Sequence, residues 1–304
     1  MKKCLLLALS ASMIMCLLSG CIVDKPDPTE PSYTPEQLEA LEYLKGLTVQ
    51  DDDRSEYNVG SCATLTEDVA VVVLLADDDA SQWDAEAVEN FTAQVNDAME
   101  FICSSAAGYG VEISMPVYVY CTNQEQQIRY DGTVTTGGVA LNALHRIAKN
   151  WGYEDQRAMH AALQEQLEME QIAYIVATNK SAHSFAQAHT QRFDTYWLDL
   201  EYCVIDFLAG RDASGTIVHE FLHLFGAQDF YRKESETTVY NERRAALAES
   251  LCPNAIMLNN GQYLADAQIS SFTAYTIGWL DTQPEEYNCD DWWVGSQWED
   301  TYTP

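Results

Sequence analysis

The seven residues from Val69 to Leu75 are all apolar, four of them valines, and acidic residues stand close to both ends of the run. A continuous stretch of this length and composition is typical of a strand that is buried on both faces of a sheet. Such a strand requires a layer of helices on each face. The run therefore restricts the chain to folds in which a mostly parallel sheet lies between helices.

The rest of the chain alternates between strand-like and helical periods. Further strands are predicted at 117–121, 172–177 and 196–207, and helices at 84–105, 138–150, 153–170 and 216–225. This alternation predicts the α/β class with a mostly parallel, twisted sheet. Beyond Gly226 only helical segments are expected, at 242–250 and 265–279, so the C-terminal part should be mainly helical.

The first 20 residues read as an export signal. A short positive start, Met1-Lys2-Lys3, precedes an apolar run that ends at Leu18-Ser19-Gly20-Cys21. These four residues resemble the lipobox of bacterial lipoprotein precursors, in which the cysteine thiol accepts the lipid. The resemblance implies lipidation at Cys21 and an extracytoplasmic protein anchored at the bacterial cell membrane or surface. An ordinary secretory signal is the alternative.

Residues 21–60 are proline-bearing and charged, so they are interpreted as a lipidated spacer, with an inhibitory pro-segment as the alternative. Residues 61–304 show no internal repeat and no second linker, which predicts a single domain. We expect a monomer.

Charge excludes one class of partner. The chain has 47 acidic and 16 basic side chains, a formal net charge of −31 at pH 7. Nucleic acids bind to basic stripes, so they are not expected as partners.

Six cysteines follow Cys21. In an exported protein an even number indicates up to three disulfides, although free buried thiols stay open as an alternative; the six are Cys62, Cys103, Cys121, Cys203, Cys252 and Cys289.

The segment from His219 to Asp229 carries the chemistry. His219 and His223 are four residues apart, so on a helix both imidazoles face one ion, while Glu220 can reach a water on that ion. The flanking residues are apolar, which predicts a buried helix, and buried polar side chains need partners or a metal. Gly226 can end the helix in a left-handed turn and bring Asp229 back as a third ligand.

Two points about metal binding stay open. Glu249, from a later helix, is the alternative to Asp229 as third ligand. The run Asp77-Asp78-Asp79 lacks an EF-hand pattern, so it is interpreted as a turn, or at most as a loose structural Ca²⁺ site.

The pattern H-E-x-x-H-x-x-G-x-x-D resembles that of the metzincin clan of zinc endopeptidases, in the variant seen in snapalysin-type and immune-inhibitor-type bacterial proteases. Cys252 to Met257 is similar to the clan's methionine-containing turn, with Met257 beneath the zinc ligands. Some members carry a tyrosine two residues after that methionine. Asn259 stands there in this chain, so Tyr231 or Tyr263 is expected to replace it as transition-state stabiliser.

The resemblance implies a two-part fold, with residues 61–226 as the upper part and 227–304 as the lower. It also implies an antiparallel edge strand against which a peptide substrate lies, and 184–190 is our candidate for that strand. The expected function is zinc-dependent hydrolysis of peptide bonds in extracellular proteins, with one catalytic Zn²⁺ and Glu220 as general base. The alternative is a metal-binding surface lipoprotein, or an inactive relative of these peptidases, that binds a ligand without cleaving it.

Overall fold

The computed structural model describes residues 61–123, 126–134, 143–181, 183–188, 200–208, 210–231, 239–259 and 263–287. The strands among these residues are β1 (Val69–Leu75), β2 (Val117–Cys121), β3 (Gln171–Thr178), β4 (Phe185–Gln187) and β5 (Tyr202–Asp206). The helices are α1 (Ala85–Gly108), α2 (Ala143–Trp151), α3 (Gln156–Leu167), α4 (Ser214–His223), α5 (Val239–Leu251) and α6 (Ser271–Thr276). Short 3₁₀ turns span Leu264–Asp266 and Glu285–Tyr287.

The five strands form one mixed sheet in the order β2-β1-β3-β5-β4. Strands β2, β1, β3 and β5 are parallel, and β4 pairs antiparallel with β5 at one edge. The predicted α/β class, the mostly parallel sheet and the antiparallel edge strand are therefore confirmed. The edge strand lies inside the predicted segment 184–190, and it begins at Phe185.

Two apolar layers cover the sheet. Because side chains alternate along a strand, Val71, Val73 and Leu75 face one layer, which contains α1, α4 and the C-terminal part. Their neighbours in sequence on β1 face the other layer, which contains α2 and α3. All seven residues of β1 are buried, as the apolar run from Val69 to Leu75 predicts.

Most predicted elements lie where the periodicity puts them, and their ends differ for local reasons. Helix α1 begins at Ala85 because the side chain of Asp84 accepts a hydrogen bond from Ala87 N at 2.8 Å, which makes Asp84 the cap. Strand β5 is shorter than predicted: it spans Tyr202–Asp206, and residues 189–199 lie outside the described residues.

The predicted helix at 265–279 is wrong over its first half. Gln268 forms a backbone bridge with the turn around Ala255, with Ile256 N donating to Gln268 O at 2.9 Å. Ser270 then caps α6 by accepting from Thr273 N, so the helix starts only at Ser271. Pairing with a distant turn thus outweighs the local helical period.

The C-terminal part is joined to the start of the described chain. Leu65 N donates to Ile277 O at 2.9 Å, and the Trp279 indole donates to Leu65 O at 2.7 Å. Gly278, at a φ of 96°, sits so close that an added Cβ would lie 3.1 Å from Thr64 and Thr66 side-chain carbons. A side chain there would push these two segments apart.

The described cysteines are free thiols, and none of them forms a disulfide with another; they are Cys62, Cys103, Cys121, Cys203 and Cys252. Cys289 lies outside the described residues. None of the described helices is both long and apolar enough to cross a membrane.

The acidic run after β1 forms a turn. Asp78 is buried, and its carboxylate accepts from Ala80 N, the Ser81 hydroxyl, Val134 N and the Lys180 ammonium. Burial alone would raise the pKa of Asp78, but Lys180 and these donors hold it below its usual range. Asp77 accepts from Trp83 N at 3.0 Å, and Asp79 pairs with Arg129. All three carboxylates therefore make contacts that stabilise the turn.

Loss of the Asp78 charge should destabilise the fold, because the Lys180 ammonium, whose side chain is only 15% exposed, would lose its carboxylate partner. We expect Asp78→Asn to lower the free energy of unfolding by about 3 kcal/mol, as measured by urea denaturation. The matched control is Asp79→Asn, whose carboxylate is 56% exposed and which should cost less than about 1 kcal/mol.

The Asp78–Lys180 pair also predicts how the stability of the fold depends on pH. Because the pKa of Asp78 is lowered in the folded state, its stabilisation is complete above the unfolded value of about 3.9 and is lost as pH falls through the lower folded value. The stability difference between wild type and Asp78→Asn should therefore shrink below about pH 4. A difference that stays constant down to acid unfolding would contradict this account.

Candidate metal centre

Helix α4 carries the candidate ligands on a buried element. All its residues from Ile217 to Leu222 are buried, and they include His219 (0% exposed) and Glu220 (5%). The helix packs against α1, β5 and the edge strand β4. At its start, Asp212 accepts from Ser214 N at 2.9 Å and so satisfies one free amide. The apolar residues of α4 thus anchor its polar ones.

The end of this helix is built by Gly226. Ala227 N donates to Leu222 O at 3.2 Å and Gly226 N to His223 O at 3.1 Å, which is the Schellman arrangement. It requires a left-handed residue, and Gly226 has a φ of 95°. The chain therefore reverses three residues after the second histidine, as the sequence predicts.

The segment after Gly226, in which the chain runs back toward the helix, is fixed to the turn at 252–257. Phe230 is buried, and its N–H donates to Met257 O at 2.9 Å. Asp229 immediately precedes it and is thereby held over the helix. Met257 itself is fully buried in the same apolar layer.

Each histidine is oriented by a backbone carbonyl. His219 Nδ1 lies 3.0 Å from Ile256 O, and His223 Nδ1 lies 2.7 Å from Ala227 O. A carbonyl only accepts, so each Nδ1 must carry the proton. The Nε2 lone pairs are thereby left to face the space between the rings, whose centroids are 4.9 Å apart.

The two Nε2 atoms meet the carboxylate of Asp229. Asp229 Oδ1 lies 3.1 Å from His219 Nε2 and 3.1 Å from His223 Nε2. Within the described part of the chain, the buried His219 Nε2 has no hydrogen-bond partner. His219, His223 and Asp229 also form a group whose ligand atoms lie within 4.8 Å of one another. Electron-pair donors this close repel one another unless a cation lies between them or a histidine nitrogen carries a proton.

The carboxylates around His223 favour a positive charge at this point of the site. Burial lowers the pKa of His223, but the carboxylates of Asp229 and Glu220 outweigh burial and raise that pKa to about 9. On the sheet side, the pKa of the buried Cys203 thiol is raised, first by burial and then by the charge of Glu220. Glu220 is therefore close enough to both His223 and Cys203 for its charge to act on each.

Two imidazole nitrogens and one carboxylate oxygen are a donor set that zinc accepts, and three protein ligands leave a position open for water. The residues present thus fit the metal that the sequence predicts. His219, His223 and Asp229 are the groups that would hold it.

The remaining predicted residues are divided between the site and the surface. The Tyr231 ring lies against His219, with centroids 5.8 Å apart, whereas Tyr263 is 67% exposed before a 3₁₀ turn. Glu249 is an exposed residue of α5 and is not part of the ligand group. Cys21 lies outside the described residues.

Sequence reasoning missed the carbonyls that orient the histidines. Ile256 O and Ala227 O belong to the backbone, so no residue type marks them. Their only sequence signal is indirect. Gly226 places Ala227 beyond the helix end, and the Pro253-Asn254 turn precedes Ile256.

No protein-family profile and no curated protein matches this chain. Among solved structures, it is similar to a chain described as "Structure of a chaperone-substrate complex", with 9% identity and a TM-score of 0.28. The match covers 57% of this chain and 24% of that one, so the chain spans about a quarter of that chain's length. A likeness this weak supports no conclusion about fold or function.

The two candidates for the third ligand can be separated by metal affinity. We expect Asp229→Ala to weaken zinc binding by more than the roughly 10–100-fold that follows loss of a ligand's hydrogen-bond partner, as measured by competition with a chromophoric chelator. Glu249→Ala is the matched control and should bind like wild type. The reverse result would transfer the ligand role to Glu249.

Proposed function

We propose that this chain is a zinc-dependent endopeptidase of the metzincin-like type, with residues 61–226 and 227–304 as its upper and lower parts. One observation carries the proposal. Both histidines are locked with Nε2 toward Asp229 Oδ1, at 3.1 Å each, and the charge of the buried Glu220 acts on His223. A carboxylate next to three metal-type donors is what hydrolysis needs and what simple metal storage does not.

A bound zinc ion would supply a Lewis acid for the scissile carbonyl and a water whose pKa is lowered to about 7. Glu220 then accepts the proton of the attacking water and passes it to the leaving amine. Burial of Glu220 beside apolar residues excludes competing water and favours this transfer. Asp229 and the two carbonyl-oriented histidines keep the donor atoms in place throughout.

The edge strand β4 supports a peptide as substrate. It lies against α4 and pairs with β5 on one side, and its three residues are half-buried. An extended peptide can add to such an edge through its main chain. This mode accepts many sequences, which suits the extracellular proteins that we propose as substrates.

We further propose that the enzyme is exported and tethered through lipid on Cys21, with 21–60 as its spacer. The support is the sequence Leu18-Ser19-Gly20-Cys21 after a positively charged start and an apolar run. Metabolic labelling with a palmitate analogue tests the tether: wild type should incorporate label and Cys21→Ala should not.

Glu220→Gln tests the catalytic step, because it keeps shape and removes the base. We expect the variant to bind one zinc per chain like wild type, while kcat/KM on a quenched peptide falls at least about 100-fold. Wild type that binds zinc and cleaves no peptide in a diverse library would favour the ligand-holding alternative. Wild type without zinc affinity would contradict the site itself.

Tyr231 is proposed to donate to the oxyanion, since its ring lies beside His219. Tyr231→Phe should lower kcat by about 100-fold with little change in KM, because the hydrogen bond forms only in the transition state. Tyr263→Phe is the matched control, because Tyr263 is 67% exposed, and it should leave kcat unchanged. Equal losses in both variants would exclude a specific role for Tyr231.

A further inference from the structure

A cavity of about 350 Å³ lies where α5 ends and α6 begins. Its walls include Cys252, which directly follows α5, and Tyr287, the last residue that the structure describes. Ser271, at the start of α6, and Tyr109, which follows α1, also line it. The cavity therefore brings the cysteine of the turn at 252–257 next to the end of the described chain.

The Cys252 thiol is in direct contact with Tyr287. Cys252 is 2% exposed, and its thiol forms a hydrogen bond with the Tyr287 hydroxyl, which also bonds to Ser271. The backbone of Tyr287 is fixed as well, because its N–H donates to Pro284 O at 3.0 Å and its carbonyl accepts from the Gln283 side-chain amide. The chain thus leaves Tyr287 from a defined place beside the thiol.

The next cysteine follows at once. Six cysteines come after Cys21, and the five that the structure describes form no disulfide with one another. The sixth is Cys289, two residues after Tyr287. Two residues of chain span at most about 7 Å, and a disulfide joins Cα atoms that are about 4.4–6.8 Å apart. Cys289 therefore starts within reach of the cavity that contains the Cys252 thiol.

The other described thiols are placed differently. Cys62 and Cys203 are fully buried, and each has its sulfur against a carbonyl of β3, at 3.7 and 3.8 Å. Cys103 belongs to α1, and Cys121 ends β2. Of the described cysteines, Cys252 alone lines the cavity. It is thus the thiol best placed to meet Cys289.

From this placement we propose that Cys252 and Cys289 form a disulfide in the exported protein. The bond closes residues 252–289 into one loop, and that loop contains Ile256, whose carbonyl orients His219. The end of the chain is thereby fastened to the turn that supports the metal centre. The proposal rests on the export proposed above, because disulfides persist in oxidising compartments, and it does not require peptidase activity.

The bond forms by a two-electron oxidation, with the disulfide of a thiol oxidoreductase or of glutathione as oxidant. One protein thiolate attacks this disulfide, which gives a mixed disulfide and releases one thiol of the oxidant. The other thiolate then attacks the protein sulfur of the mixed disulfide, which forms the Cys252–Cys289 bond and releases the second thiol. The two protons of the protein thiols end on the reduced oxidant. Because burial raises the pKa of Cys252 in the folded chain, its thiolate is scarce there, and the bond should form as the chain folds.

Refolding tests the pairing. The reduced chain 21–304, with Cys21→Ala so that an unlipidated thiol cannot pair, is refolded from urea with oxidised and reduced glutathione. Free thiols are then alkylated in urea, and peptides are mapped without reduction by mass spectrometry. Cys252 should be joined to Cys289 in most molecules, with the other four cysteines alkylated. A bond from Cys289 to any other cysteine, or an alkylated Cys289, would overturn the proposal.

The melting temperature shows whether the bond stabilises the native fold. With EDTA present, so that no metal contributes, the Tm of the oxidised chain should exceed that of Cys289→Ser by at least about 5 °C, because closing a loop of this length restricts the unfolded chain. A reductant should lower the Tm of the oxidised chain and leave that of Cys289→Ser unchanged. The matched control Cys121→Ser should respond to the reductant like the unsubstituted chain. Equal reductant effects in all three would contradict the bond.

Trapping thiols in cells separates this proposal from the proposed function. Alkylation at lysis, followed by the same peptide mapping, should find the Cys252–Cys289 bond in the exported chain. A bond after refolding but free thiols in cells would contradict the export, and with it the bond in cells. Absence of the bond from both samples would overturn the pairing and leave export and peptidase standing. Wild type that has the bond and cleaves no peptide would contradict the peptidase alone.

Discussion

The fold is organised around the cost of burying two histidines and a glutamate on one helix. His219 and Glu220 are almost fully buried, and polar groups in such a position destabilise a protein unless each has a partner. The chain supplies partners from both sides of the helix: the Ile256 carbonyl comes from the C-terminal part, and the Ala227 carbonyl comes from the turn that ends the helix. Helix α4, the turn that ends it and the C-terminal segment around Ile256 thus depend on one another, and none of them positions the donor atoms alone.

Several features of this arrangement could be predicted because they depend on short-range physics. The Val69–Leu75 run predicts a strand buried on both faces, and the sheet places it second in order with helices on both sides. His219, His223, Gly226 and Asp229 come together because their spacing is fixed by helical geometry and by one left-handed residue. Such features require no knowledge of distant parts of the chain.

The features that could not be predicted depend on long-range pairing. The segment 265–279 has a helical period, yet Gln268 instead bridges to the turn around Ala255, and that bridge holds Ile256 where its carbonyl meets His219. Backbone groups carry no residue signature, so neither the bridge nor the carbonyl can be read from the sequence. The six cysteines predict disulfides by number alone, whereas thiols in an apolar layer, such as Cys203, are compatible with packing as small apolar groups.

The charge of the site itself depends on where the histidine protons are held. With a metal on Nε2 and the proton on Nδ1, both histidines would be neutral ligands, so a divalent ion would be offset by only two carboxylates, Asp229 and Glu220. The reacting centre would then carry no net charge. The Ile256 and Ala227 carbonyls, which fix the proton on each Nδ1, would thus set the charge of the centre as well as its geometry.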